Sequence, residues 1–150
     1  MSVDRDSSAV SIHRHFDCAF PELWLSVTAP ESISAWFTPC VRGSDGRYRL
    51  RFTEDSGESY VKHATVLRYR RREDAGEYRF LLEDPGHHDS VVEVSVSGAP
   101  GGAVLTLRHL DPPAELADGY AQGWADYLDS LERHLAASRQ DAIRRPEGGR

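Results

Sequence analysis

Few residues of this chain could do chemistry, and they are scattered. His109 ends the run Ala103–His109 in phase with Leu105 and Leu107, so strand alternation puts its imidazole on their face. There it could hydrogen-bond a ligand or act as an acid or base near neutral pH. The alternative is a core histidine satisfied by a carbonyl or a tyrosine hydroxyl. No catalytic residue is assigned, and His109 is the one candidate. Arg14 stands in phase between Ile12 and Phe16. On an inward face it needs a carboxylate or a ligand, unless it snorkels to an edge or sits at a bulge. Tyr120 and Tyr127 offer phenolic hydroxyls, although tyrosines also serve at core edges. Trp36 and Trp124 read equally as cavity walls or plain core.

Other chemistries lack their parts. His13 and His15 share a strand face at a chelating spacing, but no third convergent ligand is evident and a zinc site needs three or four. His87 and His88 fall in a turn. Neither Cys18 nor Cys40 has a His or Asp partner suggesting a nucleophile, and no Gly-rich phosphate loop or G-x-S-x-G occurs. We expect neither a metal nor a cofactor. The net charge of −6, with no basic helix, argues against a nucleic-acid partner. The first residues lack a signal peptide's apolar run, and no stretch reaches transmembrane length. The expectation is a cytoplasmic protein with reduced thiols, a Cys18–Cys40 disulfide being the alternative. The chain has one lysine, Lys62, against 17 arginines among its 18 basic residues. We read that skew as coding bias.

The elements that must position these groups are clearer. From Glu115 to Ala137, the residues Leu116, Tyr120, Trp124, Tyr127, Leu128, Leu131 and Leu135 recur at intervals of three and four, forming one wide stripe of a helix. Gly119 and Gly123 flank the stripe as a small-residue notch, read as close packing, with an entry gap as the alternative. Residues 10–18 alternate as a strand. Two short helices follow, the second opened by a capping box of Thr28 and Glu31 with Pro30 in its first turn. Strands then succeed one another from Arg47 to Asp111, separated by the turns 55–58, 72–77, 85–90 and 98–102. In residues 59–70 both phases carry apolar groups and no face can be assigned.

The order β, α, α, five β, long α predicts one α+β domain over residues 9–138. A curved antiparallel sheet of about six strands would wrap the C-terminal helix, with residues 1–8 a disordered lead and 139–150 a loose basic tail. If the inward side chains do not fill the space under the helix, an aromatic-lined cavity remains, closed at one mouth by the short helices.

Five pieces of sequence carry a family likeness. They are Ile12, Arg14, Phe16, Asp17 and Ala19 as I-x-R-x-F-D-x-A, then P-E-L-W at 21–24. Next come Thr28 to Pro39 as T-x-P-E…W-F-x-P, L-T-L-x-H at 105–109, and G-W-x-x-Y-L-x-x-L at 123–131. In this order they resemble the helix-grip fold of the START/Bet v 1-like (SRPBCC) superfamily, and within it the branch of activator of Hsp90 ATPase homologue 1-like proteins. The likeness spans about residues 10–137. Ala64 stands where that family usually has a glycine, and residues 72–77 replace its Pro-Pro-x-Arg-Leu turn.

The resemblance implies an internal site for a lipid-, sterol- or polyketide-like molecule, bound for sequestration or transport. Arg14, Trp36, Phe37, Leu107, His109, Tyr120, Trp124 and Tyr127 would be its ligand-binding residues. Two other readings are a polyketide cyclase or dehydratase-like enzyme and self-resistance to a natural product such as an enediyne. A third is an Hsp90 co-chaperone-like interaction module. The expected state is a monomer or weak homodimer with no membrane insertion.

Overall fold

A computed structural model describes residues 9–144 of the chain. The elements are β1 (Val10–Phe16), α1 (Phe20–Thr28), α2 (Pro30–Trp36), β2 (Cys40–Arg42) and β3 (Tyr48–Thr53). They continue with β4 (Ser59–Arg71), β5 (Ala75–Glu83), β6 (Ser90–Ala99), β7 (Gly102–Leu110) and α3 (Ala117–Arg144). A short 3-10 turn at Ala114–Leu116 leads into α3. Residues 1–8 lie outside the described chain, as do 145–150; α3 runs past the expected boundary at residue 138.

All strands join one antiparallel sheet in the order β1-β7-β6-β5-β4-β3-β2. From β3 to β7 it is the expected meander, and β1 closes it by pairing with β7, Val10 opposite His109 and Phe16 opposite Ala103. The seventh strand is Cys40–Arg42, paired with Tyr48–Leu50. Three residues after a proline are too few to carry an alternation, so this strand had no sequence signature.

The second helix departs from expectation at its start. Thr28 is the last residue of α1, and its hydroxyl donates to the Trp24 carbonyl at 2.8 Å. Its side chain is therefore spent within α1, and Ala29 takes the cap position with no side-chain cap bond. The turn after β4 is also tighter than residues 72–77, because β5 begins at Ala75. Gly76 already belongs to that strand, and the Trp24 indole lies directly on it, where an added Cβ would sit 2.7 Å from the ring.

The ambiguity of residues 59–70 has a physical origin. Lys62 and Ala64 point inward, but the register slips between Val66 and Arg68, leaving Leu67 unpaired and half exposed. One bulged residue exchanges the two faces, so beyond it Tyr69 turns in to pack on Trp24 at 5.8 Å.

The helix stripe is used in two ways. Leu128, Leu131 and Leu135 are buried against the sheet beside Phe16 and Leu105. Ser130 ties the helix to α2 by donating to the Trp36 carbonyl at 2.7 Å. Arg14 closes this end from β1, its guanidinium 2.8 Å from Asp129 and 3.6 Å from Glu132. The inward arginine thus found its carboxylates on the polar flank of the helix. Nearer its N-terminus, α3 stands away from the sheet.

Candidate functional site

Under that raised end of α3 lies a cavity of about 600 Å³. β3, β4 and β5 form its floor, with Leu50, Phe52, Phe80 and Leu82 inward; Phe37 closes one side; Leu116, Tyr120, Trp124 and Tyr127 form the roof. A smaller space of about 140 Å³ continues beneath α1 and α2 and is bordered by Trp36, Tyr78 and Leu107. Phe37, Leu50, Phe80 and Trp124 border both. Aromatic contacts stiffen the partition: Phe37 stacks on Trp124 at 5.7 Å and meets Tyr127 edge-on at 4.4 Å.

Gly119 and Gly123 border the larger cavity, and an added Cβ at either would meet nothing within 4 Å. This corrects the close-packing expectation. The notch faces open space because the first turns of α3 overhang the cavity, and the two bare positions widen it.

The polar heart of the cavity is a cluster that sequence reasoning missed. Lys62 from β4 and Asp84 from the end of β5 are both buried, with Lys62 Nζ 2.9 Å from Asp84 Oδ1. Lys62 also donates to the Tyr120 hydroxyl at 2.7 Å, and that hydroxyl donates to Asp84 Oδ2 at 2.5 Å. Each member thus satisfies the other two, which is what makes a buried ion pair tolerable. Burial, then the hydrogen bond and charge of Asp84, push the Tyr120 phenol well above the usual tyrosine range. It stays a neutral donor. The Lys62 ammonium also lies 5.0 Å from the Phe52 ring centroid and 4.6 Å from that of Tyr120. The signal for this cluster was the chain's one lysine, set among apolar residues of a strand.

The other expected ligand-binding residues separate. Phe37, Tyr120, Trp124 and Tyr127 line the large cavity, and Trp36 and Leu107 the small one. Arg14 and His109 line neither. His109 is fully buried, with Nε2 2.8 Å from Ser90 Oγ and Nδ1 accepting from Trp124 Nε1 at 3.0 Å. An indole N–H can only donate, so Nδ1 is unprotonated and Nε2 carries the proton toward Ser90. Burial pulls the imidazole down to about 4. At neutral pH it is an uncharged bracket holding Trp124 against the sheet.

Cys18 and Cys40 are free, and burial raises each thiol to about 11, far from a thiolate nucleophile. On the outer face, His13 meets Thr106 Oγ1 at 2.9 Å and His15 meets the Pro100 carbonyl at 3.4 Å. No described helix is long and apolar enough to cross a membrane.

A curved antiparallel sheet gripping a long C-terminal helix over an aromatic cavity defines a helix-grip protein of the SRPBCC type. Residues 17–136 match the family model of activator of Hsp90 ATPase homolog 1-like proteins, and the chain belongs to that family. No curated protein sequence matches it. Among solved structures, CalU16 from Micromonospora echinospora is 22% identical, over 85% of this chain and 73% of that one, with a TM-score of 0.70. Protein NE0264 from Nitrosomonas europaea is 15% identical over 92% and 99% of the two chains, with a TM-score of 0.73. DynU16, described as a protein in the dynemicin biosynthetic locus, is 18% identical with a TM-score of 0.63; the match spans 87% of this chain and 48% of that one. At such identities the likeness is one of fold.

Proposed function

We propose that this protein binds a hydrophobic, aromatic or polyketide-like small molecule in the cavity between the sheet and α3, and holds it without transforming it. The observation that carries this reading is the cavity itself: about 600 Å³, walled largely by aromatic rings, with the buried Lys62–Asp84–Tyr120 cluster in its lining. Sites for small organic ligands have this size and composition. His109, the one candidate for acid–base chemistry, has both ring nitrogens committed and borders no cavity, which favours binding over catalysis. The likeness to DynU16, a protein in a natural-product locus, is further support for a polyketide-like ligand.

Native mass spectrometry of freshly purified protein tests the reading, together with thermal shift against lipids, flavonoids and aromatic polyketides. A ligand present at about a hundred times its Kd stabilises by about 2.7 kcal/mol, or roughly 5–10 °C for a domain of this size. A shift of that order with one chemical class is the expected result. No adduct and no shift with any class would overturn the reading and direct attention to a protein partner.

A further inference from the structure

The buried polar side chains of the cavity are nearly all used up, while the less buried hydroxyls of Tyr60 and Tyr127 line it with no hydrogen-bond partner among the described residues. Both oxygens of Asp84 are occupied, Oδ1 by Lys62 and Oδ2 by Tyr120. The single proton of Tyr120 is committed to Asp84, and that of the Trp124 indole to His109. An ammonium carries three protons. Lys62 gives one to Asp84 and one to Tyr120, and among the described residues the third has no hydrogen-bond acceptor. The ammonium is flanked by the rings of Phe52 and Tyr60, at 5.0 and 6.0 Å from their centroids. Among the buried side chains lining this cavity, Lys62 therefore holds the one uncommitted donor, and no acidic side chain is left free to receive a proton.

The charge around the entrance points the same way. Asp84 is balanced by Lys62, while Glu54, Glu58 and Glu115 also line the cavity and are mostly exposed. A ligand carboxylate would have to pass these glutamates to reach a lysine already paired with a carboxylate. An uncharged oxygen acceptor meets no such repulsion.

We propose that Lys62 is the docking point for a neutral oxygen acceptor on a polycyclic ligand, a ketone or quinone carbonyl, and that the cavity disfavours free carboxylic acids. The ligand's rings lie among Phe37, Phe52, Tyr127 and Trp124, and its carbonyl takes the third Lys62 proton. This assignment rests on the cavity reading above and adds the chemical class of the ligand.

Three probes sharing one ring skeleton test it: fluorenone, fluorene and fluorene carboxylate, with binding followed by tryptophan fluorescence. A hydrogen bond from a charged donor corresponds to about a 10- to 100-fold preference, so fluorenone should bind at least about tenfold more tightly than fluorene, with the carboxylate weakest. Lys62→Met alone strands a buried Asp84 and can fail to fold. The paired variant Lys62→Met/Asp84→Leu, made in the Tyr120→Phe background, removes both charges and leaves no hydrogen-bond donor at the site. In it, fluorenone should fall to the affinity of fluorene while fluorene is unchanged. Equal affinities in the wild type, or a fluorenone preference that survives in the paired variant, would overturn the docking assignment and leave the cavity reading standing. Tightest binding of the carboxylate would overturn it in favour of an anion site. Binding of none of the three would overturn the cavity reading and this one with it.

Discussion

Phe37 lies nearly parallel to Trp124, ring centroids 5.7 Å apart and planes 27° from each other, and the pair divides the space under α3 in two. Phe37 follows α2 directly, so the short helices set one half of the partition and the long helix the other. Trp124 is fixed from behind by His109, whereas Phe37 is held by packing alone.

Phe37→Ala should therefore merge the two spaces. Removing a phenylalanine from packed surroundings costs about 3 kcal/mol, measurable by urea denaturation. The same variant should accept ligands too large for the wild-type cavity, whereas Trp36→Phe, at the edge of the small space, should not.

The His109 bracket predicts a pH dependence. Its folded value, about 4, lies below the ordinary 6.5, so the unfolded chain takes up the proton first. The stabilisation is complete above about pH 6.5 and is lost as pH falls toward 4, amounting to about 3 kcal/mol at most. Urea midpoints at pH 7, 5.5 and 4.5 should decline in the wild type. In His109→Gln they should start lower and decline less. Equal slopes would count against the bracket.

Tyr120→Phe deletes the hydroxyl bridging Lys62 and Asp84 and keeps the ring in the roof. The loss of a hydrogen bond to a buried carboxylate should destabilise by about 1.5–3 kcal/mol. Since Lys62 then gains a second free proton, binding of a carbonyl probe should not weaken. Chemical denaturation and the fluorenone titration read the two effects separately.

Gly123→Ala should stabilise the protein by about 1 kcal/mol, the usual helix-interior difference, because its new methyl enters open space. Gly123→Leu extends further into the cavity and should abolish ligand binding while the fold persists. Gly76→Ala is the contrasting control: its Cβ would sit 2.7 Å from the Trp24 ring, and the variant should lose stability. Thermal melts of the three distinguish a cavity-facing glycine from a packed one.

The apolar stripe from Leu116 through α3, six of its seven positions within the helix, and the alternation of β3, β5, β6 and β7 were legible because burial imposes a local period on whichever side faces the core. Those patterns alone placed Trp124, Tyr120 and Tyr127 together on one helix face and His109 on the inward phase of β7. The inward face of β4 was hidden, since the bulge at Leu67 exchanges its two phases midway. With that face unassigned, Lys62 could not be seen as a cavity residue.

What the sequence by itself determined was sidedness: which residues turn inward, in which element, and hence the class of fold. Only the tertiary structure decided partnership. Lys62, Asp84 and Tyr120 come from three elements, and Arg14 meets Asp129 across 115 positions of chain. Whether an inward polar group becomes a ligand contact, an ion pair or a silent bracket depends on what another element places within 3 Å of it. Periodicity reports burial along one element, whereas hydrogen bonds and charges are satisfied between elements, and that geometry exists only after the sheet has closed on the helix.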